Sequence, residues 1–345
     1  MFPGQGAQAV GMGKELCAEN PAAAELYKKA ADILGYDLLE IEDKAKLDTT
    51  VVSQPAIFVA SMAAVEKLRA SEGGAATIDA CNMCMGLSLG EYTALAFAGA
   101  ISFEDGVKIT KARGEAMQAA SEAATSGMCS VIGLDSEKVR TTHMHKHTHA
   151  LSPVSQTVLE PERARARHAC MRGRSPRACV CRRQVTELCK AASEQSGSQI
   201  QIANYLCNGN YACSGSMDAV EKVMEIAKPE FKARMAVKLA VAGAFHTDFM
   251  APAVATLEEV LKEVTVSKPR IPVISNVDAK AHSDPEVIKS ILTKQVTAPV
   301  QWETIMKDLI AGGYEAGYEL GPGAVLSGIM KRTDKKAPAI TNIDV

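Results

Sequence analysis

Hydrophobic positions along the chain switch repeatedly between a helical spacing and short apolar runs of strand length. Asn20 before Pro21 opens a helical stretch, because Asn caps a helix well and Pro suits its first turn. Further helices are predicted at about 53–70 and 91–98, with a short buried strand at 78–85 between them. Ser102 with Asp105 three residues on predicts a capped helix to about residue 120. Near the C-terminal end, strands around Val273 and Tyr318 alternate with helices at 250–262, 285–296 and 302–311. Strands and helices in alternation point to an α/β fold.

The middle of the chain carries an order of its own. Residues 128–134 read as a strand and Asp135 as a helix cap. Strands follow at 199–204 and 211–214, then a helix behind Ser216 to about 227, then a strand at 235–241. That is the β-α-β-β-α-β order of a ferredoxin-like subdomain. The expected division is a core made of residues 1–126 and 242–345, with residues 127–241 inserted as the smaller unit.

One segment breaks this pattern. Residues 139–184 hold nine Arg and one Lys against Glu160 and Glu162, a net +8 in a chain whose total is −2. They also hold His143, His145, His147, His149 and His168, five of the seven histidines. Removing the segment joins Lys138 to Val185 and places Val185, Leu188, Cys189 and Ala192 on one helical face. All Val codons begin GT and Gln184 can be encoded CAG, so the segment fits an in-frame retained intron, with a genuine insertion as the alternative. It is expected to be disordered and to bind neither metal nor nucleic acid in any built site.

Composition narrows the class without naming it. The 345 residues are 47% apolar and 23% charged, which excludes a collagen, a coiled coil or a wholly disordered chain. A length of this order is a prior for roughly two domains of about 150 residues. No run of about 18 apolar residues occurs, so no membrane span is expected. Ten cysteines show no disulfide spacing, and the lone Cys81-x-x-Cys84 lacks the second pair of a zinc site. They read as buried thiols in a reducing compartment. The opening Met1-Phe2-Pro3-Gly4 resembles the end of a strand with no signal or transit segment before it, and a shortened first strand would leave a sheet edge uncovered.

The chemistry starts at Gly86-Leu87-Ser88-Leu89-Gly90. A Gly-x-Ser-x-Gly between a buried strand and a helix is a nucleophile elbow, lifting the Ser88 hydroxyl to a helix N-terminus where a developing anion is favoured. A serine nucleophile needs a base. Outside the atypical segment only His246 and His282 remain, and His282 lies in a polar stretch with Ser283 and Asp284. His246, after Gly243-Ala244-Phe245, is the better candidate, although a core histidine is the plain alternative. Arg113 alone reads as a surface charge and Gln5 as a turn residue. The Gly4-Gln5-Gly6 region has the wrong spacing for a nucleotide loop.

Five ordered motifs together resemble the malonyl-CoA:acyl carrier protein transacylase family. They are Pro3-Gly4-Gln5-Gly6-Ala7-Gln8, Gly86-Leu87-Ser88-Leu89-Gly90-Glu91-Tyr92, Arg113-Gly114, Gly243-Ala244-Phe245-His246 and Glu319-Leu320-Gly321-Pro322-Gly323. The resemblance covers nearly the whole chain except residues 139–184. It implies an α/β-hydrolase-like core with an inserted ferredoxin-like subdomain, in agreement with the order above. It also implies that Ser88 takes malonyl from malonyl-CoA as an ester, with His246 as base, and passes it to the phosphopantetheine thiol of acyl carrier protein. Gln5 and Leu89 would give backbone N–H groups to the oxyanion, Gln295 would orient His246 through its carbonyl, and Arg113 would hold the malonyl carboxylate. Phe245 would shape the acyl pocket for malonyl rather than methylmalonyl. No cofactor and no metal are implied, and the expected form is a monomer without nucleic-acid or membrane partners.

Two features qualify the resemblance. Members usually have His before the nucleophile, where this chain has Leu87. The run Asn204-Tyr205-Leu206-Cys207-Asn208-Gly209-Asn210-Tyr211 is similar to plastid-type members, which implies the plastid stroma, with mitochondrial matrix or cytoplasm as alternatives. Rival readings are a trans-acting acyltransferase of polyketide assembly, a Ser-dependent thioesterase or esterase, and an inactive product.

Overall fold

The architecture follows from a computed structural model of the chain, which describes residues 1–134 and 176–345, with side chains in the second stretch from Cys181 onward. Around the first half, helices Pro21–Leu34, Thr50–Ala70 and Phe103–Glu122 pack on one another. Asn20 caps the first, accepting from the Ala23 N–H at 3.1 Å, and Ser102 caps the third, accepting from Asp105 at 3.0 Å. The Thr50–Ala70 helix is 21 residues long and apolar enough to span a membrane, but it is enclosed by its neighbours. A helix apolar on all sides is what a central core position requires.

The predicted strand at 78–85 is mostly something else. Ile78 ends in a short helix, Gly74–Asp79, and only β1, Cys84–Met85, is strand. A single apolar turn and a short buried strand look alike in sequence, and Ile78 satisfies the core equally well from a helix. Of the two cysteines in this run, Cys84 is buried and Cys81 is not. Among the described residues no group of three or more His, Cys, Asp or Glu is placed to hold a metal ion.

The chain start takes an interior position rather than an edge. The Phe2 N–H donates to the Met85 carbonyl at 3.0 Å, and the Leu320 N–H donates to the Met1 carbonyl at 3.0 Å. Met1–Phe2 therefore lies between β1 and β7, Gly317–Leu320, so the expected uncovered edge is not at this strand. β6, Val273–Ile274, pairs parallel with β1, and β8, Ile340–Ile343, pairs parallel with β7. Parallel strands flanked by helices make this part an α/β layer structure.

A second sheet has four strands: β2, Ser126–Ile132; β3, Ile200–Cys207; β4, Asn210–Ser216; and β5, Met235–Lys238. They lie in the order β3-β4-β2-β5, every pair antiparallel. Helices Pro176–Ser196 and Met217–Ile226 cover it, and their apolar faces form a separate core with Val131, Leu188, Tyr211 and Val223. The four-stranded sheet is joined to the segment before the Trp302–Ala311 helix where the Tyr205 N–H donates to the Val300 carbonyl at 2.9 Å and the Val300 N–H to the Ala203 carbonyl at 2.8 Å.

The Asp135 cap, the histidine run from His143 to His149, His168 and most of the atypical segment lie outside the described residues. The expected disorder does not extend to Gln184. The helix begins at Pro176 and runs through that boundary without a break. Cys181 and Gln184 are buried, and the Cys181 thiol donates to the Leu134 carbonyl at 3.1 Å. Arg182 reaches the Trp302–Ala311 helix, donating to Glu303 at 2.8 Å and Thr304 at 3.0 Å, and lies over the Tyr205 ring. Disorder fails here because Glu303 is wholly buried and takes its charge balance from Arg182 and Lys307.

A consequence is measurable. Arg182→Ala removes a charge-assisted hydrogen bond to a buried carboxylate, worth about 1.5–3 kcal/mol. The melting temperature should fall by several degrees at roughly 2–4 °C per kcal/mol, whereas Arg183→Ala, on the exposed side of the same helix, should leave it unchanged.

Candidate active site

Ser88 sits between β1 and the Leu89–Phe97 helix at φ 52° and ψ −103°. That conformation is costly for a residue with a Cβ and persists only where the surroundings impose it. The constraint is close contact: a Cβ added at Gly86 would lie 1.9 Å from the Gly90 backbone, so only glycine lets the turn close. The Pro3-Gly4-Gln5 turn lies against the same elbow, where a Cβ at Gly4 would meet the Leu87 carbonyl oxygen at 2.5 Å. Leu89 opens the helix, so its N–H has no intrahelical acceptor. Gln5 is fixed by its side chain, which donates to the Thr50 hydroxyl at 3.5 Å.

His246 comes from the loop after the four-stranded sheet, itself at φ 60°. Its Nε2 lies 2.9 Å from Ser88 Oγ and its Nδ1 lies 2.9 Å from the Gln295 carbonyl oxygen. A carbonyl can only accept, so Nδ1 carries the proton and Nε2 is left to accept from the serine. Burial, and then the charge of Arg113, push the imidazole down to about 4, partly opposed by the Gln295 carbonyl. At neutral pH the ring is therefore an uncharged base. His282 instead pairs with Asp278 at 3.0 Å, away from this site.

Arg113 is buried among neutral acceptors. It donates through Nη1 to Gln54 Oε1 at 2.7 Å, and through Nη2 to Ser88 Oγ and Gln295 Oε1, both at 3.1 Å. The guanidinium also lies 5.2 Å from the centre of the Tyr92 ring, and its Nε is buried with no acceptor. Burial lowers its affinity for its proton. A desolvated cation whose hydrogen bonds all end on neutral oxygens, one of them the nucleophile, can bind an incoming carboxylate in two-pronged fashion.

The family follows from comparison at this point. Residues 1–157 and 152–345 match the family described as acyl transferase domain. The chain belongs to that family. It is 36% identical over 353 residues to the mouse "Malonyl-CoA-acyl carrier protein transacylase, mitochondrial", covering 100% of this chain and 81% of that protein. Among solved structures, the malonyl CoA-acyl carrier protein transacylase from Coxiella burnetii superposes with a TM-score of 0.79 at 28% identity, covering 99% of this chain and 92% of that one. A malonyl-transacylase solved in complex with a type II polyketide synthase acyl-carrier protein matches with a TM-score of 0.77 at 28% identity, covering 99% and 93%.

Within this acyl transferase domain, Ser88, His246, Gln295 and Arg113 converge as one bonded group. The Gln5 turn and the Leu89 N–H flank the same elbow, and Phe245 is buried beside His246 in the core. Leu87, where His is usual, packs with the apolar cluster of Met85, Val300 and Trp302, so it does not supply a polar contact to the pair. Three participants were not picked out from the sequence. Asn276 accepts from the Ser88 N–H at 2.6 Å and donates to the Gly86 carbonyl at 2.7 Å. Glu91 accepts from the Gln295 side chain at 2.6 Å and the Asn276 N–H at 3.0 Å. Gln54 holds Arg113. The available signal was a polar residue set in an otherwise apolar buried element, as Gln54 is in its helix.

The depressed histidine gives a pH dependence with a defined sign. Its folded value of about 4 lies below the ordinary 6.5, so the neutral base and the stability it contributes are fully present above 6.5. Both are lost as pH falls through about 4. Labelling of Ser88 by phenylmethanesulfonyl fluoride, followed by intact mass, should therefore hold its rate down to about pH 5 and drop near 4. An inflection at 6.5 would show the ring to be ordinarily solvated.

Proposed function

We propose that the chain transfers malonyl from malonyl-CoA to the phosphopantetheine thiol of acyl carrier protein through a malonyl ester on Ser88. The observation that carries this reading is the placement of Ser88 Oγ between the Nε2 of a neutral histidine and the guanidinium of a buried arginine. A nucleophile–base pair performs acyl transfer, and the cation selects an acyl group that ends in a carboxylate. The relatives' names support the same substrate and partner.

In the first half-reaction the malonyl carboxylate pairs with Arg113, replacing the contact between Nη2 and the serine. Ser88 Oγ attacks the thioester carbon while His246 Nε2 takes its proton. The negative charge on the former carbonyl oxygen is met by the N–H groups of Gln5 and Leu89. Collapse breaks the carbon–sulfur bond, and coenzyme A leaves with the proton from His246. In the second half-reaction His246 deprotonates the carrier thiol, sulfur attacks the ester, and the proton returns to Ser88. Gln295 replaces the acid of a triad, holding the imidazole by a carbonyl dipole rather than a charge. No metal or organic cofactor enters any step.

Phe245 would crowd a methyl on malonyl C2 and so disfavour methylmalonyl. The strand order β3-β4-β2-β5 suits a ferredoxin-like subdomain at 127–241, set into an α/β-hydrolase-like core of 1–126 and 242–345. The mitochondrial name of the mouse relative favours the mitochondrial matrix over the plastid stroma. Loading of a polyketide carrier is the second reading, favoured by the relative solved with such a carrier, and uses identical chemistry. Hydrolysis of neutral esters leaves the buried cation without a purpose.

Incubation with malonyl-CoA and no carrier should leave a malonyl adduct on the peptide containing Ser88, absent in Ser88→Ala. An unmodified wild-type peptide, with free coenzyme A accumulating, would make the protein a hydrolase. Arg113→Ala should separate substrates by charge. Stranding a carboxylate without its cation costs about 3–5 kcal/mol, or roughly 10²–10⁴-fold in kcat/KM for malonyl-CoA. Acetyl-CoA, with no carboxylate, should lose far less. Equal losses for both esters would assign Arg113 to the fold.

A further inference from the structure

The nucleophile and its base arrive from loops far apart in sequence, and one buried side chain touches the supports of both. Glu91 lies one turn beyond Ser88 in the Leu89–Phe97 helix, 3% exposed. Its Oε2 accepts from Gln295 Nε2 at 2.6 Å and from the Asn276 N–H at 3.0 Å. Gln295 presents its backbone carbonyl to His246, and its side chain reaches Arg113 and the Ser88 carbonyl, the latter at 3.0 Å. Asn276 holds the Ser88 N–H and the Gly86 carbonyl, the two ends of the strained turn. We propose that Glu91 is a positioning residue that sets nucleophile and base in one frame, acting through Gln295 on His246 and through Asn276 on the Ser88 turn.

The alternative is that Glu91 merely fills and stabilises the interior. Burying a carboxyl is unfavourable, and desolvation pushes this one up to about 7. An apolar side chain would be the cheaper filler, and a site retaining an acid there gains something other than stability. The gain is geometric. Both bonds end on the same oxygen, Oε2, so a neutral carboxyl or an amide keeps them, whereas a shorter side chain cannot reach both partners. Misplacement of reacting groups by about 1 Å is enough to cost roughly 10²-fold in rate. The requirement is therefore for reach and an acceptor, not for charge.

This inference rests on the Ser88–His246 pair of the proposed function and not on the malonyl group, so two readouts keep the two claims apart. One is malonyl transfer, with kcat expressed per site titrated by the acyl-enzyme burst and KM measured alongside. The other is the rate of Ser88 modification by phenylmethanesulfonyl fluoride, a neutral reagent that needs the serine and its base but no carboxylate subsite. Glu91→Gln should stay within about fivefold of wild type in both, while Glu91→Ala should lose about 10²-fold in kcat and in labelling, with KM changed far less. Glu91→Asp, which keeps the charge and loses the reach, should behave like Glu91→Ala and serves if the alanine variant does not fold. Wild-type labelling without malonyl transfer, still slowed in Glu91→Asp, would remove the malonyl reading and leave the positioning role standing. Glu91→Asp or Glu91→Ala with wild-type kcat per titrated site and wild-type labelling would overturn the proposal, as would a Glu91→Gln variant as impaired as Glu91→Ala.

Discussion

The hydrogen bond from His246 Nδ1 to the carbonyl of Gln295 is the contact on which the proposed chemistry depends. A carbonyl fixes the tautomer, because it accepts and never donates, and so leaves Nε2 ready for the serine proton. It does so without a full negative charge, and the imidazole accordingly remains neutral in a buried site that already contains a cation. A carboxylate in the same place would raise the histidine's proton affinity and would pair with the nearby Arg113. The choice of a dipole over a charge is thus tied to the presence of the arginine.

The residue that supplies this carbonyl is itself tightly held. Gln295 ends the Pro285–Gln295 helix, is fully buried, and its amide bonds Arg113, Glu91 and Ser88. The parallel pairing of β1 with β6 brings Asn276 beside the elbow, and the start of the chain closes it from the other side. The loop leaving the four-stranded sheet brings in His246, and bonds of Ala203 and Tyr205 to Val300 tie that sheet to the segment before the Trp302–Ala311 helix. The Arg182–Glu303 pair reinforces that junction from the helix above.

Much of the site was legible because its chemistry is local. A Gly-x-Ser-x-Gly between strand and helix is complete within five residues, and its glycines are needed for contacts inside the same turn. Counting histidines outside the atypical segment left two, and polar surroundings disfavoured His282. The role expected of Arg113 came from resemblance, since a charge on a long helix is ordinarily a surface charge. Glu91 stands inside the Gly86–Tyr92 motif with no local feature that assigns it a role, and nothing adjacent in the chain marks Asn276 or Gln54. Their partners lie 185, 188 and 59 residues away in sequence, and no spacing rule connects such positions.

The sequence by itself determined the alternation that makes the fold α/β, the caps at Asn20 and Ser102, the elbow, and the order of strands and helices around the four-stranded sheet. Each of these follows from side-chain periodicity or from the backbone preferences of adjacent residues. Only the tertiary structure decided that the run before Cys84 is a helix end and an irregular stretch rather than a strand, that Met1–Phe2 lies inside a sheet, and that the basic segment's last residues belong to a packed helix. The same holds for the burial of Arg113 against neutral acceptors. The physical reason is common to all four: short apolar or charged stretches are compatible with several local structures. The one adopted is set by which distant groups need covering, pairing or a hydrogen-bond partner.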